Sequence, residues 1–267
     1  MACGVKKFPS PSLRLLPAVA VLGVALLAGC SPKPQAVQDA DAYMRAQGYA
    51  RAPQILGITG SGDTVTVSGE AAPEGRVRFQ YGGQHSIGIT ADSRGRFKAE
   101  LPLTAQGGLF DISMEDTGRL VQAEGRLFIP PGAPQKAVLM RAGSPSLPLA
   151  PGGAGIAVVD YDAAGAMMIT GIAAPHVAIA ATIDGESWPK QPAGGDKGAF
   201  TAICQIPPPQ DAATPVNVVI QAGGATFTRS VPVSKAPQGD RITAIDGGGW
   251  RVDWIVPGGG MQTTVVF

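Results

Sequence analysis

Val65-Thr66-Val67-Ser68-Gly69-Glu70-Ala71-Ala72-Pro73 is matched in pattern by Met167-Met168-Ile169-Thr170-Gly171-Ile172-Ala173-Ala174-Pro175, 102 residues later. In the first copy Val65 and Val67 alternate with Thr64, Thr66 and Ser68, the period of a strand with one buried face. The correspondence extends outward. Val77 and Gly83 fall on Ile179 and Gly185 at the same offset, Gly95 and Phe97 on Gly198 and Phe200 at 103, and Phe110 and Ile112 on Val216 and Val218 at 106. Phe128-Ile129-Pro130-Pro131-Gly132 resembles Trp254-Ile255-Val256-Pro257-Gly258 at 126, and a strand-like run follows each. An offset that only grows is expected of a copied unit whose loops have lengthened. The late rise places an inserted segment near 221–240.

Between these anchors, Val77, Phe79 and Tyr81 alternate with Arg76, Arg78 and Gln80, and Phe97, Ala99 and Leu101 with Arg96, Lys98 and Glu100. Short runs follow at 110–114, 120–129 and 137–141. Gly and Pro together number 61 of 267 residues, just under the range where disorder is the default, so short strands between breakers predict an all-β chain of sandwiches. The motif Gly-x-Ala-Ala-Pro, followed by an Asp/Gly turn and Phe-x-Ala, resembles bacterial immunoglobulin-like repeats of surface and secreted proteins. That resemblance implies two tandem immunoglobulin-like β-sandwich domains, at 53–143 and 153–267, joined by a Pro/Gly/Ser-rich linker at 144–152. A fold of this kind implies no function by itself.

Residues 1–29 have the three parts of an export signal. Lys6, Lys7 and Arg14 are basic with no acidic neighbour, Leu15 to Leu27 is apolar, and small Ala28 and Gly29 precede Cys30. A bilayer core needs roughly 20 apolar residues in helix, so this run is too short to span. Leu27-Ala28-Gly29-Cys30 resembles the lipobox of bacterial lipoproteins. The resemblance implies cleavage before Cys30, a diacylglycerol on its thiol, and an acylated (palmitate-type) amino terminus. Two or more chains hold a protein firmly on a membrane. Ser31, where inner-membrane family members often carry Asp, implies the outer membrane. Residues 30–52 read as a short stalk: stiff Ser31-Pro32-Lys33-Pro34, then a short helix over 36–47 stopped by Gly48.

Loss of residues 1–29 removes three basic and no acidic side chains, leaving 18 basic against 20 acidic residues and a net charge of −2. Such a balance carries no electrostatic footprint for nucleic acid. Cys204 is then alone beside the lipidated Cys30, so no intramolecular disulfide is available; sharing a face with Phe200, Ala202 and Ile206, it is expected in the core. His85 and His176 have no partner at metal-ligand spacing, and the turns at Asp92–Gly95 and Asp196–Gly198 each supply one carboxylate, short of a calcium site. Ser187 lacks the second glycine of a nucleophile elbow, and the glycine runs lack a following Lys-Ser/Thr. No metal, cofactor or catalytic constellation is expected.

The halves differ where strands should face outward. Arg76, Arg78, Gln80, Lys98 and Glu100 have the counterparts Ala178, Ala180, Thr182, Thr201 and Ile203, with Met168 where the first copy has Thr66. Val177 to Ile183 therefore reads as a strand covered on both faces, and Met168, Ala178, Ala180 and Ile203 as an interface. The cover is the first unit, the inserted segment or a partner protein. Trp188, between Ser187 and Pro189, is the candidate contact for a sugar or peptide, while Trp250, Val252 and Trp254 read as core. The reading of the whole is a lipid-anchored envelope protein serving as a non-enzymatic binding or scaffolding module, with an envelope protein or glycan as partner. An enzyme or enzyme accessory acting on cell-wall or surface glycan is the alternative. Mass spectrometry of the mature protein is expected to find fatty acyl groups on Cys30; an unmodified first residue would remove the anchor.

Overall fold

The computed structural model describes residues 43–267 except 45, 62, 63, 106, 151 and 190, all within one compact unit, Tyr43–Phe267. The expected signal segment, Cys30 and most of the helix expected at 36–47 lie outside the described residues. The first half holds β1 (Gln54–Ser61), β2 (Thr64–Glu70), β3 (Arg76–Tyr81), β4 (His85–Thr90), β5 (Arg96–Pro102), β6 (Gly108–Asp116), β7 (Arg119–Gln122), β8 (Gly125–Ile129), β9 (Val138–Arg141) and β10 (Leu147–Pro148). The second half holds β11 (Gly155–Asp162), β12 (Ala166–Ile172), β13 (Ile179–Ile183), β14 (Glu186–Ser187), β15 (Ala199–Gln205), β16 (Thr214–Ala222), β17 (Ala225–Val233), β18 (Arg241–Ala244), β19 (Trp250–Ile255) and β20 (Met261–Val266).

Each half is an antiparallel sandwich of the immunoglobulin-like class. Sheet β1-β2-β5 faces sheet β10-β9-β8-β6-β3-β4, with β7 on β6; sheet β15-β12-β11-β20-β19-β18 faces sheet β14-β13-β16-β17. Alternation decides what goes inside: Val65, Val67, Phe79, Phe97 and Leu101 fill the first core, Met167, Ile169, Phe200, Val218 and Ile220 the second. Strands β12, β15 and β16 begin 102, 103 and 106 residues after β2, β5 and β6. Even a register break recurs, between Ile55 and Gly57 in β1 and between Ile156 and Val158 in β11.

The shared motif has a steric cause. A methyl group added to Gly69 would lie 2.2 Å from the Gln54 carbonyl oxygen and 2.4 Å from the Phe97 ring; on Gly171 it would lie 2.2 Å from the Gly155 carbonyl oxygen and 2.5 Å from the Phe200 ring. The glycine thus lets the Phe of the next strand lie flat over the backbone. Gly95 (φ 78°) and Gly198 (φ 77°) make left-handed turns whose carbonyls accept the Ala71 and Ala173 N–H at 2.7 and 2.8 Å.

The endings diverge. In the first half, four-residue β7 covers only Ser113–Asp116 of β6, leaving Gly108, Leu109 and Phe110 to pair with β8. In the second, nine-residue β17 pairs with β16 along its whole length, so the closing hairpin β19–β20 is displaced onto β11, with Val158 opposite Val266. Two residues separate β7 from β8; β17 and β19 are separated by 234–249, which include β18. The added length therefore forms the extension of β17 and the 234–249 segment, reaching beyond the expected 221–240.

A third apolar cluster joins the halves: Phe128, Val138 and Met140 from β8 and β9 against Val158, Val252, Trp254 and Val266 from β11, β19 and β20. Strands covered on both faces are therefore Leu127–Ile129, Val138–Met140 and the β11-β20-β19 layer, whose residues alternate between a sandwich core and this junction. The expectation placed double cover at Val177–Ile183 instead. There Ala178 and Ala180 remain exposed, because the first half covers the opposite sheet.

Gly69→Ala and Gly171→Ala are each expected to destabilise the protein by about 1–3 kcal/mol through overpacking. Gly153, with nothing within 4 Å of an added methyl, should tolerate Ala. Urea midpoints of the three variants check this, and equal midpoints would contradict it.

Candidate functional site

The sequence-derived interface residues are split between two sheets. Met168 on β12 and Ile203 on β15 are cross-strand partners, Met168 half-buried and Ile203 62% exposed at the sheet edge. Ala178 precedes β13 and Ala180 lies on it, on the other sheet of the same sandwich. The single apolar face expected from these four residues is therefore corrected to two separate surfaces. The first half's basic row divides in the same way, Arg76 and Arg78 on β3, Arg96 and Lys98 on β5. Beside Ile203 the edge of β15 is capped: Gln191 Oε1 accepts the Ile203 N–H at 2.9 Å, and Gln191 Nε2 donates to the Ile203 carbonyl at 3.4 Å. A side-chain amide so placed blocks strand addition there.

Trp188 is half-buried against the second core, and its backbone N–H donates to the Ala181 carbonyl at 3.0 Å. It lines an open cavity of about 590 Å³ with Ala178, Ala180, Gln221 and Thr226, so three sequence-derived candidates meet here. Its indole Nε1 is buried with no acceptor among the described residues. Cys204 is buried in the same core, and burial pushes its thiol up to about 11. His85 stacks on Tyr81 at 5.5 Å; His176 has φ 58° and lies 3.6 Å from Asp196, both well exposed. Asp92 folds its own turn, Oδ1 accepting the N–H groups of Arg94 and Arg96 at 2.9 and 2.8 Å. The Arg96 N–H foremost holds this carboxyl below its ordinary value.

Polar side chains at the junction are more densely connected. Asp160, fully buried on β11, accepts the Ser146 N–H at 2.8 Å, the Ser146 hydroxyl at 2.7 Å and the Thr264 hydroxyl at 2.7 Å. Trp254 Nε1 donates to Thr264 Oγ1 at 3.1 Å. Gln262 accepts the Gly143 N–H at 3.0 Å and donates to the Arg141 carbonyl at 3.1 Å. The segment expected as a linker is thus bound to the second sandwich, Ser146 being completely buried. Desolvation raises the Asp160 carboxyl above its ordinary value, and its hydroxyl and amide donors pull it partly back.

Two clefts border the 234–249 segment, the first within the second half and the second at this junction. One, of about 590 Å³, is walled by Lys235, Gln238, Arg241 and Thr243 over a floor of Arg251 and Asp253. That pair is buried, Arg251 bonding Asp253 at 2.8 Å and the Ser234 carbonyl at 3.0 Å, while Asp253 also accepts the Thr263 hydroxyl at 2.7 Å. The other, of about 450 Å³, is lined by Gln80, Tyr81, Asp111, Arg126, Asp240 and Arg241. In it Arg126 bridges Asp111 of the first half at 2.7 Å and Asp240 of the second at 2.8 Å. Arg241 lines both clefts. None of these residues stood out in the sequence; the available signal was that Asp240 and Arg241 lie in length the first half lacks.

No protein-family model and no curated protein matches the chain. Among solved structures, a "Biofilm associated protein - BSP domain" is similar at 14% identity and a TM-score of 0.24, over 69% of this chain and 29% of that one. The chain thus spans less than a third of that structure's length, and the fold assignment rests on the sheets described above.

The Asp160 network has a pH signature. A carboxyl whose native pKa exceeds its unfolded value binds more protons folded, so its stabilising contribution is greatest below pH 3.8 and declines as pH rises through the native value. Thr264→Val removes one donor to the carboxylate, costing about 1–3 kcal/mol. The loss should be larger at pH 7 than at pH 4, because the Thr264 hydroxyl favours the charged form of the carboxyl, whose population grows with pH. Urea unfolding at the two pH values measures it, and an equal loss would contradict the assignment.

Proposed function

We propose that this chain is a lipid-anchored protein of a bacterial envelope whose paired sandwiches act as a binding or scaffolding module rather than as a catalyst. One observation carries the binding role: the 234–249 segment, which the first half lacks, walls two clefts, one of them at the junction, while the strand pairing beneath stays intact. Variable segments on a fixed scaffold are where recognition is commonly built, and junctions between packed modules are common ligand sites. Anchoring is supported by the resemblance of Leu27-Ala28-Gly29-Cys30 to a lipobox, and an outer-membrane address by Ser31. The partner is a protein or glycan of the envelope.

A photoreactive amino acid in place of Thr243, inside the larger cleft, should yield a discrete adduct with an envelope macromolecule in intact cells. The same substitution at Arg78, on the outer face of β3, should not. Equal labelling at both positions, or none at Thr243, would overturn the binding role.

A further inference from the structure

We infer that the outer edge of β17 joins two copies of this chain: their β17 strands pair antiparallel about a two-fold axis at Thr228, making one continuous sheet across a dimer. Nine-residue β17 is the longest strand that ends a sheet, and no strand pairs with its outer side. The other long edges are guarded. Gln191 caps β15, a bulge breaks β1, and β5 carries Arg96, Lys98 and Glu100 on its exposed positions. Such devices block strand addition. On β17 the exposed positions Thr226, Thr228 and Ser230 carry no charge.

The turn before β17 decides which backbone groups face outward. Gly223 and Gly224 (φ 56° and 89°) form a two-residue hairpin loop between the opposed Ala222 and Ala225. The pair flanking such a loop exchanges both hydrogen bonds, and bonded and non-bonded pairs then alternate. Ala225, Phe227, Arg229 and Val231 therefore bond to β16, while Thr226, Thr228, Ser230 and Pro232 turn outward. Pro232 has no N–H, and its carbonyl accepts the Tyr161 hydroxyl at 3.2 Å and an Arg251 N–H at 3.4 Å. The N–H and C=O groups of Thr226, Thr228 and Ser230 have no partner among the described residues. Donors and acceptors in an open row on alternate residues fit an extended strand.

That row is complementary to itself. With the axis at Thr228, Thr228 faces its own counterpart and Thr226 faces Ser230 of the second copy. Every outward group is then bonded, and hydroxyls meet hydroxyls on one face. On the other face Arg229 meets Phe227 of the second copy, a cation against an aromatic ring, as it already lies 5.1 Å over Phe267. Neighbouring registers fail. An axis at Arg229 opposes the two arginines and sets Thr226 against Pro232; an axis at Phe227 sets Ser230 against Gly224 in the turn. Beneath the edge, β17 packs across from β11, and β20, β19 and β18 of that sheet continue past it. An added strand thus has a layer to lie against, and the contact closes as a symmetric dimer.

Full-length protein in density-matched detergent should sediment as a monomer–dimer equilibrium with a dissociation constant at or below about 100 µM. Thr228→Lys sets like charges on the axis and should raise that constant about tenfold or more. Thr228 is exposed and outside the β16 ladder, so the dilute variant should keep the parental melting profile. Single cysteines read the register, with the parent chain, whose Cys204 is buried, as baseline. Thr228→Cys should form an interchain disulfide, because facing Cα atoms in a bonded pair lie about 5.5 Å apart. Thr226→Cys or Ser230→Cys alone should not, whereas the two mixed should; crowding in a micelle would crosslink all three alike. A chain still monomeric at about 500 µM, a dimer indifferent to Thr228→Lys, or crosslinks without this pattern overturns the proposal. A Thr228→Cys adduct in intact cells with a different protein, and no homodimer, would give the edge to a foreign strand and overturn it as well. The Thr243 photo-adduct bears on the clefts alone, so either reading can fail without the other.

Discussion

Phe128, Met140, Val252 and Trp254 are buried only because two sandwiches press their outer faces together. Burial of an aromatic side chain removes some 150–250 Å² from water, and at about 25 cal/mol per Å² each ring contributes several kcal/mol before entropy is counted. Neither half could leave these residues exposed without presenting a wide apolar surface. The contact therefore does more than connect repeats. It fixes which sheet of each half points inward, and so where the remaining faces and edges can be used.

Apolar packing alone would allow the two halves to slide, and the polar groups within the junction remove that freedom. Asp160 is satisfied only when Ser146 and Thr264 are both in place, and Gln262 only when the 141–143 turn lies over it. A buried carboxylate or amide that loses a partner is costly, so one arrangement is strongly preferred over its neighbours. At the rim Arg126 adds a bridge between Asp111 and Asp240. The cleft between Tyr81 and Arg241 inherits this rigidity. The walls of both clefts include length gained in one copy of the repeat. A longer β17 occupies the whole free edge of β16, sends the closing hairpin to β11, and leaves 234–249 to cross the junction.

The strands and the repeat were legible because period-two alternation and the paired Gly and Phe of each copy are local signals. Gly69 and Gly171 sit under Phe97 and Phe200 just as their spacing implies. Burial of Cys204 was equally readable from the face it shares. The junction was not, since Leu127-Phe128-Ile129 and Val138-Leu139-Met140 are continuous apolar runs, and a run says that both faces are covered without saying by what. The apparent run at Val177 to Ile183 misled because alanine is small enough to stay exposed at little cost. Trp188, Ala178 and Ala180 do share a cavity, whereas Met168 and Ile203 belong to the other sheet: outward positions in a repeat cannot reveal which of two sheets carries them. The junction cleft depends on Arg126 meeting Asp240 across 114 residues, a distance no motif encodes.

Peptide-resolved hydrogen exchange across a urea gradient addresses the shared junction most directly. If the sandwiches are one cooperative body, β2 and β5 of the first half should lose protection at the same urea concentration as β12 and β15 of the second, and Trp254→Ala should separate the two losses. Independent midpoints in the unaltered protein would mean that the halves fold as separate beads, and that no rigid groove lies between them.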